Sequence, residues 1–279
     1  LNMLLKLVND YKPYSLAVAF DRKAPTFRHK AYEAYKGTRQ KAPEELVPQF
    51  DLAREALHQM DIPIYEIDGY EADDILGTIS KFCGGPDRQV LLVTGDKDAL
   101  QLVSGYTNVL LTQKGISVLH RYDEEELKKE YGLTPLQFID MKGLMGDNSD
   151  NIPGVPGIGP KTAIKLLQEY GTLENVLDNT EKMKGKLKEN LTIYRQHALL
   201  SKDLATIRLD VPIDCSVVSE PFEIAKTPAL KDFLTELEFH SFIEKLGLTE
   251  VESAVKEKAV REAKSYSDIY HREEILALL

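Results

Sequence analysis

Three apolar runs each close on an acid: SLAVAFD (Ser15 to Asp21), PIYEID (Pro63 to Asp68) and QVLLVTGD (Gln89 to Asp96). Continuous runs of this length, bounded by turn residues, read as buried strands. Between them lie two helical patterns, EELVPQFDLAREALHQM (Glu44 to Met60) and EADDILGTISKF (Glu71 to Phe82). Strand and helix therefore alternate, which predicts an α/β fold with a mostly parallel sheet flanked by helices. NVLLT and ISVLH (Asn108 to Thr112, Ile116 to His120) read as a closing pair of strands around a turn at Lys114 and Gly115. In an open parallel sheet the ligand crevice lies beyond the carboxyl ends of the strands. Asp21, the group Glu71, Asp73 and Asp74, and Asp96 with Asp98 all fall just past such ends, so acids from separate strands are expected to converge.

After about Gly132 the alternation stops and helical patterns take over: LTPLQFIDMKGLM, PKTAIKLLQEYG, TLENVLDN, KGKLKENLTIYRQHALLS and TPALKDFLTELEFHSFIEKLG. The expected organisation is an α/β core over 1–132, a helical domain over 133–248, and a charged linker leading into a further domain over 249–279. LNMLLKLV, with apolar Leu1, Leu4, Leu5 and Val8 at helical spacing, reads as a chain that begins inside a fold.

The net charge of −10 would by itself argue against a polyanionic partner, but charge is segregated along the chain. Arg22, Lys23, Arg28, Lys30, Lys36, Arg39 and Lys41 face the single acid Glu33, whereas Glu66 to Asp74 is acidic with no base. Cys83 and Cys215, far apart and outside any CxxC, suggest neither a disulfide framework nor a zinc site, and a reducing compartment is expected. No apolar run approaches the ~18 residues of a membrane span, so a cytoplasmic protein without a membrane partner is expected.

Asp21, Glu71, Asp73, Asp74, Asp96, Asp98, Asp147 and Asp150 form an oxygen-only set with no His or Cys companion. Hard ligands of this kind suit Mg²⁺ or Mn²⁺. Two such ions ~3.5 to 4 Å apart would lower the pKa of a bound water and stabilise an in-line phosphoryl displacement. Each group also has a simpler reading. Acids at Glu71, Asp73 and Asp74 favour a helix N-terminus, Asp96 suits an N-cap, and Asp147 and Asp150 in GDNSDN suit a turn.

RKAPTFRHKAYEAYKGTRQKAP interleaves cations with Phe27, Tyr32 and Tyr35, a composition that meets a phosphate backbone and stacks unpaired bases. Arg28, Tyr35, Lys36 and Arg39 are therefore candidate DNA contacts, and Lys36 and Arg39, three apart, would share one side of a helix. In GVPGIGPKTAIKLL, Gly154, Gly157 and Gly159 leave backbone bare ahead of a helix opened by Pro160, where free amides with Lys161 and Thr162 can hold a phosphate. Lys182 to Asn190 (KMKGKLKEN) adds a second basic strip.

FDRKAPTFRHKAYEAYKGTR, GYEADDILGT, TGDKDALQL and GLMGDNSDNIPGVPGIGPKTA, in this order over roughly residues 1–248, resemble the 5′ nuclease domains of bacterial DNA polymerase I, within the flap endonuclease superfamily. The resemblance implies a PIN-like sheet core with a basic helical arch near residues 22–45 and an all-helical helix-hairpin-helix (H3TH) DNA-binding domain. It assigns the eight carboxylates to a two-ion Mg²⁺ or Mn²⁺ site. It makes Lys36 and Arg39 the arch cations that steer the scissile phosphate, and places the duplex, often with K⁺, at Gly154 to Thr162. The implied activity is 5′-to-3′ exonuclease and 5′-flap cleavage in primer removal and repair, in the bacterial cytoplasm at the nucleoid, with polymerase domains following in the same chain. The family opens with a strand ending in a ligating Asp, which would lie ahead of Leu1, so this chain alone is expected to be impaired.

Two other readings compete. Asp96-Lys97-Asp98 after a strand fits the short pattern of haloacid-dehalogenase-like phosphatases, and the helical part could serve as a non-catalytic, structure-specific DNA-binding module.

Overall fold

The computed structural model describes residues 1–113 and 118–252, and the chain divides into two compact units. The first comprises residues 1–42 and 65–220, and the second residues 43–64 together with the chain from 221. The expected turn at Lys114 and Gly115, the start of ISVLH, and nearly all of the expected linker over 249–279 lie outside the described residues.

In chain order the elements begin with α1 (Asn2–Tyr11), β1 (Val18–Ala19), α2 (Phe27–Ala31), α3 (Val47–Gln59), β2 (Ile64–Tyr65), α4 (Ala72–Cys83) and β3 (Val90–Thr94). A 3-10 turn (Lys97–Leu102) then leads to β4 (Thr107–Thr112), β5 (Leu119–Tyr122) and α5 (Glu124–Tyr131). The helical part holds α6 (Pro135–Met145), α7 (Pro160–Tyr170), α8 (Leu173–Asp178), α9 (Gly185–Ile193), α10 (Arg195–Ala205), α11 (Pro228–Glu236) and α12 (His240–Lys245).

In the first unit β3 pairs parallel with β4, Leu92 opposite Val109, and β4 pairs antiparallel with β5, Leu110 opposite Arg121. The run Ser15 to Phe20 is half-buried along its length and only Val18–Ala19 is strand, shorter than its apolar pattern predicts; Phe20 N–H reaches the Tyr65 carbonyl at 2.9 Å. Leu92, Val109 and Leu111 from the sheet share one core with Leu127, Leu133, Phe138, Leu144, Leu167 and Leu191. Apolar area removed from water is the main force binding these layers, at about 25 cal/mol per Å². α5 ends at Gly132, whose φ of 67° closes the helix, yet the core is continuous across that point. The sheet core and helices α5 to α10 therefore pack as one unit.

KGKLKENLTIYRQHALLS, which reads as one helix, forms α9 and α10, hinged at Tyr194, which closes one helix on Asn190 O and opens the next at Ala198 N–H. TPALKDFLTELEFHSFIEKLG likewise becomes α11 and α12, because Glu238 takes a left-handed φ of 58° that interrupts the helical hydrogen-bond ladder. In the second unit α3 buries Ala56 and Leu57, and Ala225 N–H bonds the Met60 carbonyl at 3.3 Å.

Candidate active site

α4 opens on Glu71, whose backbone N–H is accepted by Asp74 Oδ2 at 3.0 Å, while Asp21 Oδ1 takes the Ala72 N–H at 2.7 Å. Acids accepting the otherwise unpaired amides of the first turn are the helix-start reading realised. It accounts for Asp74 and Asp21 but leaves Asp73 unexplained. One helical step, about 100° of rotation, separates Asp73 from Asp74, and they meet different surroundings. Asp74 is fully buried, and its carboxylate accepts both Arg28 Nη atoms at 2.7 and 2.8 Å and the Arg208 N–H at 2.8 Å.

This corrects two expectations. Asp74, expected as a metal ligand, has its oxygens occupied by protein donors. Arg28, expected on DNA, is 3% exposed, and its remaining donors go to the Leu204 and Thr206 carbonyls at 2.8 and 2.9 Å. Burial lowers the Arg28 pKa, but Asp74 and Glu71 outweigh it, and the guanidinium stays charged.

Asp73 faces a small pocket that Glu71, Asp96, Asp98 and Asp150 also line. Among the described residues it has no hydrogen-bond or ion-pair partner. Burial, followed by the charges of Asp96, Asp21, Glu71 and Asp98, pushes its pKa up to about 7. An acid hemmed in by four others and neutralised by no protein cation is the arrangement a hard cation relieves, so the donor set fits a divalent ion with oxygen ligands. Asp96 also caps the 3-10 turn by accepting the Asp98 N–H at 2.8 Å.

Cations border the rest of the cluster. Lys36, with φ 55°, places Nζ 2.7 Å from Glu71 Oε1 and 3.9 Å from Asp150 Oδ2, and its N–H bonds the Asp150 carbonyl at 2.8 Å. Arg39 pairs through Nη2 with Asp150 Oδ1. The residues around them form turns instead of the expected arch helix, yet Lys36 and Arg39 reach the same acid. Tyr35, expected to stack on bases, is 3% exposed, and its hydroxyl lies 3.1 Å from both Glu71 Oε2 and Asp150 Oδ2. Burial and those two acids raise its pKa, so it remains a donor.

Lys142 is absent from the sequence-derived set. It sits on α6, 9% exposed, with Nζ 2.5 Å from Asp98 Oδ1 and paired with Asp147 Oδ2. Lys142 is the cation that partners Asp98 Oδ1. Burial pushes Asp98 up to about 6 against the pull of Lys142, whereas Lys142 and Ser149 outweigh burial at Asp147 and lower its pKa. Lys142 itself rises, since Asp98 and Asp147 outweigh its burial. In the mostly apolar run FIDMKGLM, Asp140 and Lys142 are the two charges, and only the lysine reaches the carboxylate cluster.

Between α6 and α7 the chain makes a glycine hairpin. Gly154, with φ 59°, is buried against Gly146, and its N–H bonds Ser201 Oγ at 2.9 Å, so it packs the hairpin and offers no surface. Gly157 (φ 80°) and Gly159 are exposed, Lys161 is exposed, Thr162 half-buried, and the amides of the first α7 turn follow Pro160. Asn190 Nδ2 holds the Pro156 carbonyl at 2.7 Å, tying the basic strip of α9 to the hairpin. A cleft of about 480 Å³ runs from Lys142 and Asp147 to Gly159 and Pro160. A separate trio, His120, Glu126 and Glu130, has ligand atoms within 4.8 Å of one another and shares no residue with the carboxylate cluster.

Carboxylates brought together from beyond β1 and β3, from the start of α4 and from the loop after α6, rimmed by cations and set beside a cleft that reaches a glycine hairpin, define a class of site whose oxygen donors suit a hard cation. Residues 1–132 match the family model of the 5′-3′ exonuclease N-terminal, resolvase-like domain, and residues 133–227 that of its C-terminal SAM fold. The chain belongs to the 5′-3′ exonuclease family. It is 47% identical to DNA polymerase I of Bacillus caldotenax over 245 residues and 46% identical to DNA polymerase I of Bacillus subtilis (strain 168) over 246. Each match covers 88% of this chain and 28% of the relative, so the chain spans under a third of the length of these curated relatives. In fold it is similar to the zinc-bound T5 5′-exonuclease, with TM-score 0.65 and 23% identity over 85% of this chain and 88% of that one. It is also similar to the catalytic core of Rad2 in complex with DNA substrate, with TM-score 0.58 and 18% identity over 88% and 82%.

Proposed function

We propose that the protein hydrolyses DNA phosphodiesters at 5′ ends and 5′ flaps, using Mg²⁺ or Mn²⁺ held by Glu71, Asp73, Asp96, Asp98, Asp147 and Asp150, with Asp21 at the margin. The observation that carries this reading is Asp73, a pocket acid crowded by Asp96, Asp21, Glu71 and Asp98 with no protein cation of its own. Bound divalent cations would supply Lewis acidity, lowering the pKa of a water and stabilising charge on the phosphate oxygens. Lys36 and Arg39 stand at the rim, where their charge would meet a scissile phosphate beside Glu71 and Asp150. Tyr35 donates between Glu71 and Asp150 and keeps them aimed inward. Gly157, Gly159, Lys161 and Thr162 hold the duplex backbone through amides and side-chain donors without reading bases, and a K⁺ ion would suit the hairpin carbonyls.

The family relation supports a place in primer removal and repair, a bacterial cytoplasmic setting, and polymerase domains in the same protein, as in the relatives. The functional division remains that of nuclease core over 1–132 and DNA-binding helices from 133. No described helix is long and apolar enough to cross a membrane. The phosphatase reading loses support, because Asp96 spends an oxygen on the Asp98 N–H and the family match covers both halves of the chain. The test is cleavage of a 5′-flapped duplex in Mg²⁺, compared with flap binding: cutting supports the nuclease, and binding without cutting supports a DNA-binding module.

A further inference from the structure

The two ends of the carboxylate cluster are not equivalent. Around Asp73 the acids crowd one another with no protein cation on Asp73 itself. At the other end Lys142 already bridges Asp98 and Asp147. Lys36 also enters the cluster, but it rises from a turn and remains 18% exposed at the side chain, whereas Lys142 is rooted in α6 with its side chain 11% exposed. Its ammonium therefore occupies the position between two carboxylates that a divalent ion would need, and a cation cannot enter there without displacing it. The cleft that begins at Lys142 and Asp147 offers the displaced chain somewhere to go.

Resting on the metal-dependent reading above, we propose that Lys142 is a resident cation of the Asp98–Asp147 end, which a second divalent ion must displace. The Asp73 end loads first and tightly. The Asp98–Asp147 end loads second and weakly, and Lys142 sets the difference. A charge removed from ion-pair distance in a partly buried site shifts a competing cation's affinity by about tenfold or more.

Mn²⁺ counted by electron paramagnetic resonance on DNA-free protein tests this directly. Wild-type protein binds one tight equivalent and one weaker. Lys142→Met tightens the weaker equivalent by about tenfold or more, while Lys142→Arg, which keeps the charge, leaves it weak. Lys142→Gln serves if the methionine variant does not fold. On wild-type protein, which needs no variant, amine labelling read by mass spectrometry should show Lys142 protected without metal and labelled as the second Mn²⁺ equivalent fills. A second equivalent unchanged in a folded Lys142→Met or Lys142→Gln, or labelling indifferent to Mn²⁺, overturns the proposal. Wild-type protein that binds no Mn²⁺ at all overturns instead the metal-dependent reading on which it rests.

Discussion

Arg28 grips Asp74 with both arms of its guanidinium, Nη1 to Oδ2 at 2.7 Å and Nη2 to Oδ1 at 2.8 Å, although the two residues lie 46 positions apart. Both are buried, so the pair joins α2 to α4 and, through the Leu204, Thr206 and Arg208 backbone, to the end of α10. Removing one partner of such a pair strands a buried charge, at a cost of about 3–5 kcal/mol. Asp74→Ala should lower stability by about that amount in chemical denaturation. Asp73→Asn, one residue away, should instead stabilise the metal-free protein at pH 8 by removing a crowded charge. Equal losses from the two variants would contradict the division of roles.

Asp73 also sets a pH dependence. Its pKa, about 7 in the folded chain against an ordinary value of 3.8, means the folded state holds the proton more tightly than the unfolded state. The stability this group contributes is complete below the unfolded value and is lost as pH rises through about 7. A divalent ion must displace that proton, so Mg²⁺ affinity should fall by up to about tenfold per pH unit below 7. Thermal melts should show a larger Mg²⁺-induced rise in Tm at pH 8 than at pH 5.5, and a larger rise at pH 5.5 would refute the assignment.

Tyr35 offers one hydroxyl to two acids, Glu71 and Asp150, each 3.1 Å away. Tyr35→Phe leaves two carboxylates facing each other with one donor fewer, which should cost about 1–2 kcal/mol in EDTA. Saturating Mg²⁺ should recover much of that loss, since the cation takes over the same oxygens. A loss of the same size with and without Mg²⁺ would mean that Tyr35 acts through packing alone.

The hairpin glycines should separate into two kinds. A Cβ on Gly154 would fall 2.3 Å from Gly146 N, at a φ of 59°, so Gly154→Ala should destabilise by about 3 kcal/mol or more. A Cβ on Gly159 meets nothing within 4 Å, so Gly159→Ala should cost under about 1 kcal/mol yet weaken duplex binding by covering the amides behind it. Differential scanning calorimetry and a duplex-binding titration read the two effects, and a folded, fully DNA-binding Gly159→Ala would remove the hairpin from the interface.

Local pattern made β3, β4, α4, α6 and α7 legible, because runs such as VLLVT and PKTAIKLL bury themselves according to their own periodicity. The recurrence of acids after strands likewise pointed to the pocket. Which of two adjacent aspartates turns inward was not legible, since Asp73 and Asp74 differ only by one helical step and their partners come from elsewhere in the chain. Arg28 looked like a DNA contact because its neighbours in sequence are basic, while its burial depends on Asp74 and on carbonyls beyond residue 203. Lys142 was hidden for the same reason: a lysine on a helix reads as solvated until Asp98 and Asp147 are brought to it. The short β1 and the breaks at Tyr194 and Glu238 are tertiary outcomes that apolar periodicity does not encode.

The most direct measurement is cleavage of a 5′-flapped DNA duplex by the protein at its natural length, in Mg²⁺, beside the same assay in EDTA and with Asp73→Asn. The account predicts cutting at the flap junction, none in EDTA, and a fall of at least about a hundredfold for Asp73→Asn in a protein that still folds and still binds the flap. Cleavage that persists in EDTA, or that Asp73→Asn leaves intact, would contradict it.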